Sequence, residues 1–296
     1  MAHKFTGLSV ALVTPMDENL EIDTEAYEKH LKYQIDGGVD YLVVCGTTGE
    51  SPNITDDEFS YLLSKAVELA GGRCGVIAGT GTNSTSKSIE RSKVAEKLGA
   101  YGLLLVGPYY NKPSENGLLA HFRAIADSVS LPGIIYNVPG RTALNILPDT
   151  IVKLAGHPNI VAVKEASGNI NQIMDVIARV PEDFTVLAGD DAMTLPTIAC
   201  GGQGLISVAA NEAPAMMKTY VDACLSGDFE KARLHHFNLL PLIRANFWES
   251  NPIPVKAALS YMGRMKNVLR LPMAPLDEKY VSELQDILQK LELIEG

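Results

Sequence analysis

The sequence has no cluster of lysine or arginine, and its 25 basic residues are outnumbered by 35 acidic ones. The formal net charge of -10 argues against a nucleic-acid partner and against binding to an anionic membrane surface. No apolar run approaches the length of a membrane-spanning helix, and the start MAHKFTGLSV lacks the apolar core of a signal peptide. We therefore expect a protein that neither spans a membrane nor is exported.

Cysteine is also scarce. The four cysteines are scattered and form no Cys-x-x-Cys pair, namely Cys45, Cys74, Cys200 and Cys224. This spacing makes a disulfide scaffold and a structural zinc site improbable, and it fits a reducing cytoplasm.

What is present is an ordinary globular composition. Hydrophobic residues make up 46% of the 296 residues and charged residues 20%, which excludes a disordered chain. This length can supply the core of one large α/β barrel or of two smaller domains.

Eight short apolar runs alternate with helical patterns of about ten to fifteen residues, as expected for βαβ units in a parallel sheet. Eight such units predict an α/β fold of the closed (β/α)8 TIM-barrel type. An open, doubly wound sheet is the alternative, but no Gly-x-Gly-x-x-Gly follows the first strand. The predicted strands are Leu8–Val13, Tyr41–Cys45, Gly75–Gly79, Gly102–Val106, Gly133–Tyr136, Ile160–Lys164, Phe184–Ala188 and Gly204–Val208.

After about Ser226 the strand pattern stops. Three helical segments are expected there, at Phe229 to Ala245, Val255 to Met262 and Asp277 to Leu293. We therefore predict a catalytic barrel over residues 1–226 and a C-terminal helical domain over residues 227–296. The helices could pack on the barrel or serve an oligomer.

Lys164 closes the sixth predicted strand and is the one lysine at any of the eight strand ends. Catalytic groups of such barrels sit at the C-terminal ends of the strands. Burial disfavours a charged ammonium, and a neutral amine attacks ketones to form a Schiff base. Lys164 is thus a candidate nucleophile. The alternative is a lysine whose ammonium reaches solvent from the strand end.

Hydroxyl groups occur at neighbouring strand ends. In Gly46-Thr47-Thr48-Gly49, backbone N–H groups and two hydroxyls could hold the carboxylate of a small keto acid. Tyr136 could move the protons that imine chemistry requires, supported by Thr47 and Tyr110. The alternatives are a simple turn and an ordinary strand-end tyrosine.

Four charged residues near these ends need interpretation. Arg141, just past Tyr136, could hold a second, acidic substrate, or it could pair with a nearby carboxylate on the surface. Asp190 and Asp191 lack clustered His or Cys partners, so a metal is not expected, and Asp191 could cap the next helix. Glu165 should point away from Lys164, which indicates a structural role.

Taken together, the chain resembles the pyruvate-dependent class I aldolases, the family that holds dihydrodipicolinate synthase and N-acetylneuraminate lyase. The resemblance covers the whole chain and is closest to the dihydrodipicolinate synthase branch, because Arg141-Thr142 differs from the corresponding loop of the sialic-acid lyases. The matching motifs are Gly46-Thr-Thr-Gly-Glu-Ser51, Pro108-Tyr-Tyr-Asn111, Tyr136-Asn-Val-Pro-Gly-Arg-Thr142, Lys164-Glu-Ala166 and Gly189-Asp-Asp191.

The resemblance implies condensation of pyruvate with L-aspartate 4-semialdehyde, as in lysine and diaminopimelate biosynthesis. It implies a Schiff base on Lys164, and no metal or organic cofactor. It also implies a homotetramer built from tight dimers. The implied roles are a proton relay of Tyr136, Thr47 and Tyr110, with Tyr110 reaching a neighbouring subunit; binding of the pyruvate carboxylate by Thr48; a pocket lined by Ile206 and Gly189; and a second carboxylate on Arg141.

One departure concerns feedback inhibition by lysine, which is common in bacterial members of the family. The chain keeps Ser51, Asn83 and Tyr109, but Asp56, Phe59 and Lys87 replace the histidines and glutamate of the lysine-sensitive pattern. A cationic Lys87 would repel the ammonium of lysine. We therefore expect weak or absent inhibition.

Two other functions are compatible with a barrel of this kind. A sialic-acid or sugar-acid lyase would share the nucleophile, and Arg141 speaks against it. A catalytically inactive barrel that only binds a small molecule would be expected to lack the nucleophile or the relay, and both are present.

Overall fold

The computed structural model describes residues 3–295. Eight strands form one closed, parallel barrel in which neighbours in sequence are neighbours in space and β8 pairs with β1. The predicted (β/α)8 fold is confirmed. The strands are β1 Gly7–Ala11, β2 Tyr41–Val44, β3 Gly75–Gly79, β4 Gly102–Val106, β5 Gly133–Asn137, β6 Ile160–Glu165, β7 Thr185–Ala188 and β8 Gly204–Ser207.

Twelve helices occur within residues 3–295. Helices α1 to α6 are Thr24–Asp36, Asp56–Ala70, Thr85–Lys97, Glu115–Ala126, Pro139–Thr142 and Pro148–Ala155. Helices α7 to α12 are Ile170–Arg179, Thr194–Ala199, Pro214–Leu225, Phe229–Ala245, Ile253–Tyr261 and Val281–Lys290. No helix in the described part of the chain is both long and apolar enough to cross a membrane.

Helix starts follow the local sequence. Asp23 accepts a hydrogen bond from the backbone N–H of Ala26 and caps α1. Thr55 and Glu58 form a capping box at the start of α2, in which each side chain accepts from the other residue's backbone N–H. The last helix is shorter than predicted, because a 3-10 turn over Glu278–Tyr280 precedes α12.

The barrel interior is filled by alternate residues of the strands. Ile134 and Tyr136 of β5 and Ala162 of β6 belong to the inner cluster, together with Leu187 and Ile206. Since Lys164 lies two residues after Ala162, it shares the inward-facing side of β6. Tyr136 is directly opposite Lys164 in the β5–β6 register. Strand pairing therefore brings the two predicted catalytic side chains together.

The C-terminal helices contact the barrel. Ala232, Leu239 and Ile243 of α10 belong to the main core cluster around the barrel, while Leu242 joins a second cluster with α11 and α12. The division of the chain at residue 226 remains a prediction.

Candidate active site

A cavity of about 130 Å³ lies at the carboxyl end of the barrel. It contains six of the eight sequence-predicted site residues, namely Thr47, Thr48, Tyr136, Arg141, Lys164 and Gly189. The other lining residues are Ala11, Gly46, Leu104, Val138, Ala166, Asp190, Val208, Phe247 and Asn251. Since the cavity is only a few water volumes in size, it suits a small molecule.

Lys164 is 5% exposed, and its Nζ lies 4.2 Å from the centre of the Tyr136 ring. In the described part of the chain no carboxylate forms an ion pair with this amine, unlike the buried Lys256, which pairs with Glu50. The alternative that the Lys164 ammonium reaches solvent from the strand end is therefore wrong. Lys164 is instead a buried amine on a cavity wall, next to a phenol.

Gly189 makes room for this lysine. A Cβ at Gly189 would lie 3.0 Å from Lys164 Cγ and 2.7 Å from Ala166 Cβ, both closer than side chains normally approach. Because Gly189, the residue directly after β7, has no side chain, the aliphatic part of Lys164 can lie against its backbone and extend into the cavity.

The loop after β2 presents hydrogen-bond donors to the cavity. Across residues 3–295, neither the Thr47 nor the Thr48 backbone N–H donates a hydrogen bond to another group. Thr48 Oγ1 accepts a hydrogen bond of 2.9 Å from Asn251 Nδ2, which leaves the hydroxyl proton of Thr48 available. The loop can therefore bind a carboxylate with two N–H groups and one O–H.

Arg141 lies on the short helix α5 at the edge of this cavity. Its guanidinium donates to the backbone carbonyl of Asn251 at 3.0 Å, and it has no carboxylate partner in the described chain. The alternative that Arg141 pairs with a carboxylate on the surface is therefore wrong. Arg141 and Thr47 also line a second cavity of about 430 Å³, so Arg141 stands where the two cavities meet.

Glu165 points away from the cavity, as predicted. It is 1% exposed and accepts hydrogen bonds from Asn137 Nδ2, Gln172 Nε2 and the backbone N–H of Ser167. These bonds join β5, β6 and α7 just behind Lys164. Glu165 thus stabilises the strand end that carries the lysine.

Asp191 does not cap the helix after β7, which corrects one interpretation of the sequence. Asp190 accepts the hydrogen bond from Ala192 N, whereas Asp191 bonds to the Ser207 hydroxyl and the Val208 N–H. Burial raises the pKa of Asp191 to about 6, although these bonds and the charge of Lys164 act in the opposite direction. Its carboxylate joins the ends of β7 and β8.

Two predicted residues do not line the cavity. Tyr110 is 90% exposed and has a φ of 71°, in the left-handed region that a tyrosine rarely adopts. Ile206 is fully buried in the inner cluster, and Val208 lines the cavity in its place.

Over residues 3–295 no group of three or more His, Cys, Asp or Glu side chains could hold a metal ion.

Sequence reasoning missed Asn251, Phe247 and Lys256. The first two line the cavity, and Lys256 is a fully buried lysine that donates to Glu50 Oε1 at 2.7 Å and to Thr14 O at 3.0 Å. Only Lys256 had a sequence signal, because it stands in the apolar run Ile-Pro-Val-Lys-Ala-Ala-Leu. Asn251 and Phe247 lie outside the strand ends, where no local pattern distinguishes them.

Comparison with known proteins gives one family. Residues 4–291 match the model of the dihydrodipicolinate synthetase family. A 4-hydroxy-tetrahydrodipicolinate synthase of Koribacter versatilis is 48% identical over 285 residues, covering 96% of this chain and 95% of the relative. The crystal structure of dihydrodipicolinate synthase from Aquifex aeolicus has a TM-score of 0.96 at 43% identity, with 99% of this chain and 100% of that chain covered.

A third similar protein has been solved with a bound ligand. It is the chloride-inhibited dihydrodipicolinate synthase from Acinetobacter baumannii complexed with pyruvate, with a TM-score of 0.97 at 40% identity, and the match covers 98% of this chain and 100% of that one. Family model, sequence relatives and solved structures agree over nearly the full length. This chain therefore belongs to the dihydrodipicolinate synthetase family.

Proposed function

We propose that this chain makes 4-hydroxy-tetrahydrodipicolinate by condensing pyruvate with L-aspartate 4-semialdehyde, as a lyase of the class I aldolase type in lysine and diaminopimelate biosynthesis. The observation that carries the proposal is the buried, unpaired amine of Lys164 in a small cavity beside Tyr136. The names of its close relatives, and the pyruvate in the Acinetobacter baumannii structure, support it.

Lys164 Nζ adds to the ketone carbon of pyruvate and forms a carbinolamine, which loses water to give an imine. Loss of a proton from the pyruvate methyl group then gives an enamine. Tyr136 lies against Nζ and is the group best placed to move these protons, with Thr47 on the same cavity wall as a relay partner.

The pyruvate carboxylate binds to the loop after β2. Thr47 and Thr48 both line the cavity, and within residues 3–295 their backbone N–H groups and the Thr48 hydroxyl proton have no acceptor. A carboxylate bound there directs the ketone toward Lys164, which lies on β6 at the opposite side of the barrel. Gly189 lines the same space, and we assign Ile206 a supporting role through its backbone.

The second substrate enters beside Arg141. Its carboxylate pairs with the guanidinium, and the enamine carbon attacks its aldehyde to form the new carbon–carbon bond. The amino group of the semialdehyde then attacks the imine carbon, and the amine of Lys164 leaves as the ring closes. The nucleophile is thereby regenerated.

Tyr110 is proposed to act in a neighbouring subunit of a homotetramer built from tight dimers. Its 90% exposure, and its absence from the cavity of its own chain, support a role outside that chain. A cytoplasmic location is likewise proposed, in line with four free cysteines.

The proposal is tested by replacing Arg141 with lysine. We expect the KM for aspartate semialdehyde to rise at least about tenfold, because a point charge replaces a planar fork suited to a carboxylate. A coupled assay with pyruvate and the semialdehyde measures this. Covalent trapping of pyruvate by borohydride should remain at wild-type level, because Arg141 does not contact Lys164 in the proposed complex.

If the wild type traps pyruvate but does not consume the semialdehyde, the assignment of the second substrate is wrong and the chain is a different pyruvate aldolase. If the wild type traps no pyruvate, the Schiff-base mechanism is wrong as well.

Feedback inhibition by lysine is expected to be weak or absent. Lys87 and Arg91 line the 430 Å³ cavity together with Ser51, Asn83 and Tyr109. Both cations pair with Asp56, so this carboxylate is occupied and does not hold the ammonium of an incoming lysine. We expect millimolar lysine to change the condensation rate by less than about twofold.

The matched variant is Lys87→Glu, which replaces a cation by an anion in the same wall. It should make the rate more sensitive to lysine, and this increase should weaken with added salt. Strong inhibition of the wild type by lysine would refute the expectation.

A further inference from the structure

Two residues directly follow the proposed nucleophile and its proton-transfer partner in the sequence. Asn137 comes after Tyr136 at the end of β5, and Glu165 comes after Lys164 at the end of β6. The register of these strands places Tyr136 opposite Lys164. The next pair in the same register is Asn137 and Glu165. Because successive side chains of a strand point to opposite faces, the second pair meets behind the barrel wall, while the first pair meets in the cavity.

The second pair is joined by side-chain hydrogen bonds. Asn137 Nδ2 lies 3.0 Å from Glu165 Oε2 and 3.2 Å from Oε1, and the two residues are 0% and 1% exposed. Asn137 Nδ2 also donates to Asn145 Oδ1 at 2.9 Å, and Asn137 Oδ1 accepts from the Ile146 N–H at 2.9 Å. Both polar atoms of the Asn137 amide are thus used in a buried network, which holds the amide in one orientation.

The pairing of β5 with β6 is irregular at its start. There β6 contains one extra residue, Val161, which has no counterpart on β5. Backbone pairing at the start of the strands therefore does not by itself set the register at their ends, and a slip by one residue would turn Lys164 away from the cavity. The hydrogen bond between Asn137 and Glu165 fixes the register at the end that carries the chemistry.

We propose that Asn137 and Glu165 are positioning residues whose hydrogen bond fixes Tyr136 against Lys164 for the proton transfers of imine and enamine formation. This inference rests on the proposed function. Neither residue touches the substrate, because both side chains lie on the outer face of the strands.

Two proton transfers depend on this placement. The carbinolamine loses its hydroxyl together with the phenolic proton of Tyr136, which gives water, a protonated imine and a phenolate. The phenolate then takes a proton from the pyruvate methyl group. The electron pair of the broken C–H bond forms the C=C bond of the enamine, and the π pair of the imine returns to nitrogen. Both steps require the phenolic oxygen within hydrogen-bond reach of the reacting atoms.

Exchange of the pyruvate methyl protons with deuterated water tests the assignment, because it reports enamine formation without the second substrate. Asn137→Asp places a second carboxylate against Glu165. Since the two carboxylates repel and small displacements of reacting groups lower rates strongly, we expect the exchange rate at about pH 8 to fall about tenfold or more. NMR spectroscopy measures the exchange, and the extent of borohydride trapping checks that the variant is folded and retains its nucleophile.

The loss in Asn137→Asp should depend on pH. The remaining groups bonded to Glu165, the Ser167 N–H after β6 and Gln172 Nε2 on α7, are neutral amides, so the introduced carboxylate is its titrating partner. At about pH 6 a proton shared between the two carboxylates restores a hydrogen bond, and the exchange rate should recover to within about threefold of wild type at the same pH.

Exchanging the two partners should restore the rate as well. Asn137→Asp combined with Glu165→Gln again places one amide against one carboxylate, now in the reverse order. We expect this double variant to exchange within about threefold of the wild-type rate at both about pH 6 and about pH 8, since one amide–carboxylate bond is present throughout. It also tests the assignment where Asn137→Asp by itself does not fold.

Gln172→Ala is the matched control. Gln172 donates to the same Glu165 oxygen at 3.1 Å and is also buried, but it lies on α7 and not on either strand of the site. The variant should lower the melting temperature and leave the exchange rate within about threefold of wild type, because it removes a buried hydrogen bond without separating β5 from β6.

An equal fall in exchange for Gln172→Ala and Asn137→Asp would overturn the assignment, because lost stability would then explain both. A loss in Asn137→Asp that does not change with pH would overturn it too, and so would a double variant that stays slow. Failure of the proposed function looks different, because the wild type would then neither trap pyruvate nor exchange its methyl protons, or it would do both and leave aspartate semialdehyde unconsumed.

Discussion

Replacing Lys164 by alanine should lower the condensation rate by at least about a thousandfold, because no other amine lines the cavity within the described chain. Borohydride reduction in the presence of pyruvate should add a pyruvate-derived mass to the wild type and none to the variant. The measurement is intact-protein mass spectrometry together with the coupled assay.

Lys164→Arg is the matched control, since it keeps a cation in the cavity but cannot form a Schiff base at neutral pH. It should be as inactive as Lys164→Ala. Neither variant should unfold, because Lys164 makes no ion pair and its removal leaves no buried carboxylate unpaired. Pyruvate trapping that persists in Lys164→Ala would show that another group is the nucleophile.

The second large effect is expected at Lys256, which forms a buried ion pair with Glu50. Both side chains are almost fully buried, and Nζ lies 2.7 Å from Oε1. Burial lowers the pKa of Lys256, and Glu50 acts in the opposite direction. Lys256→Met should cost roughly 3–5 kcal/mol of unfolding free energy, because it leaves the Glu50 carboxylate buried without its cation.

Activity should fall in the same variant. Glu50 follows the carboxylate-binding loop directly, and Lys256 also donates to the Thr14 carbonyl after β1. The pair therefore fixes the loop that holds Thr47 and Thr48 against the C-terminal helix α11. We expect the KM for pyruvate to rise more than that for the semialdehyde.

A double-mutant cycle separates the pair from other effects. Lys256→Met combined with Glu50→Gln should be less destabilised than the sum of the two single variants, since neither charge is then left alone. Lys266→Met is the matched surface control, because Lys266 pairs with Glu18 in solvent and should contribute about 0–1 kcal/mol. Additive effects in the cycle would mean that Lys256 and Glu50 do not stabilise each other.

The strand ends explain why much of the site could be predicted. In a parallel barrel all eight carboxyl ends meet at one rim, so residues found there by reading the chain must lie near one another. Tyr136 and Lys164 are the best case, because they are opposite each other in register on β5 and β6. The alternation of side chains along a strand also predicted correctly that Glu165 faces away.

The sequence left alternatives open at residues whose partners the local pattern does not determine. Asp191 has the right chemistry for a helix cap, yet it bonds to Ser207 and Val208 across the rim. For Arg141 the residues alone allow a surface ion pair as well as a substrate site, and the family resemblance implies the substrate site. Its actual contact, with the Asn251 carbonyl, depends on a chain segment that is 110 residues away in sequence.

The sequence alone determined the barrel and the family and predicted Lys164 as the nucleophile, because hydrophobic periodicity, strand-end position and contiguous motifs are local properties of the chain. Tertiary structure alone decided the states of two lysines that look similar in sequence, since each lies in an apolar run. Lys256 is neutralised by Glu50 from 206 positions away, whereas Lys164 faces an open cavity. Whether a buried amine is an ion-pair partner or a nucleophile depends on which carboxylate folding brings beside it, and that is a long-range property.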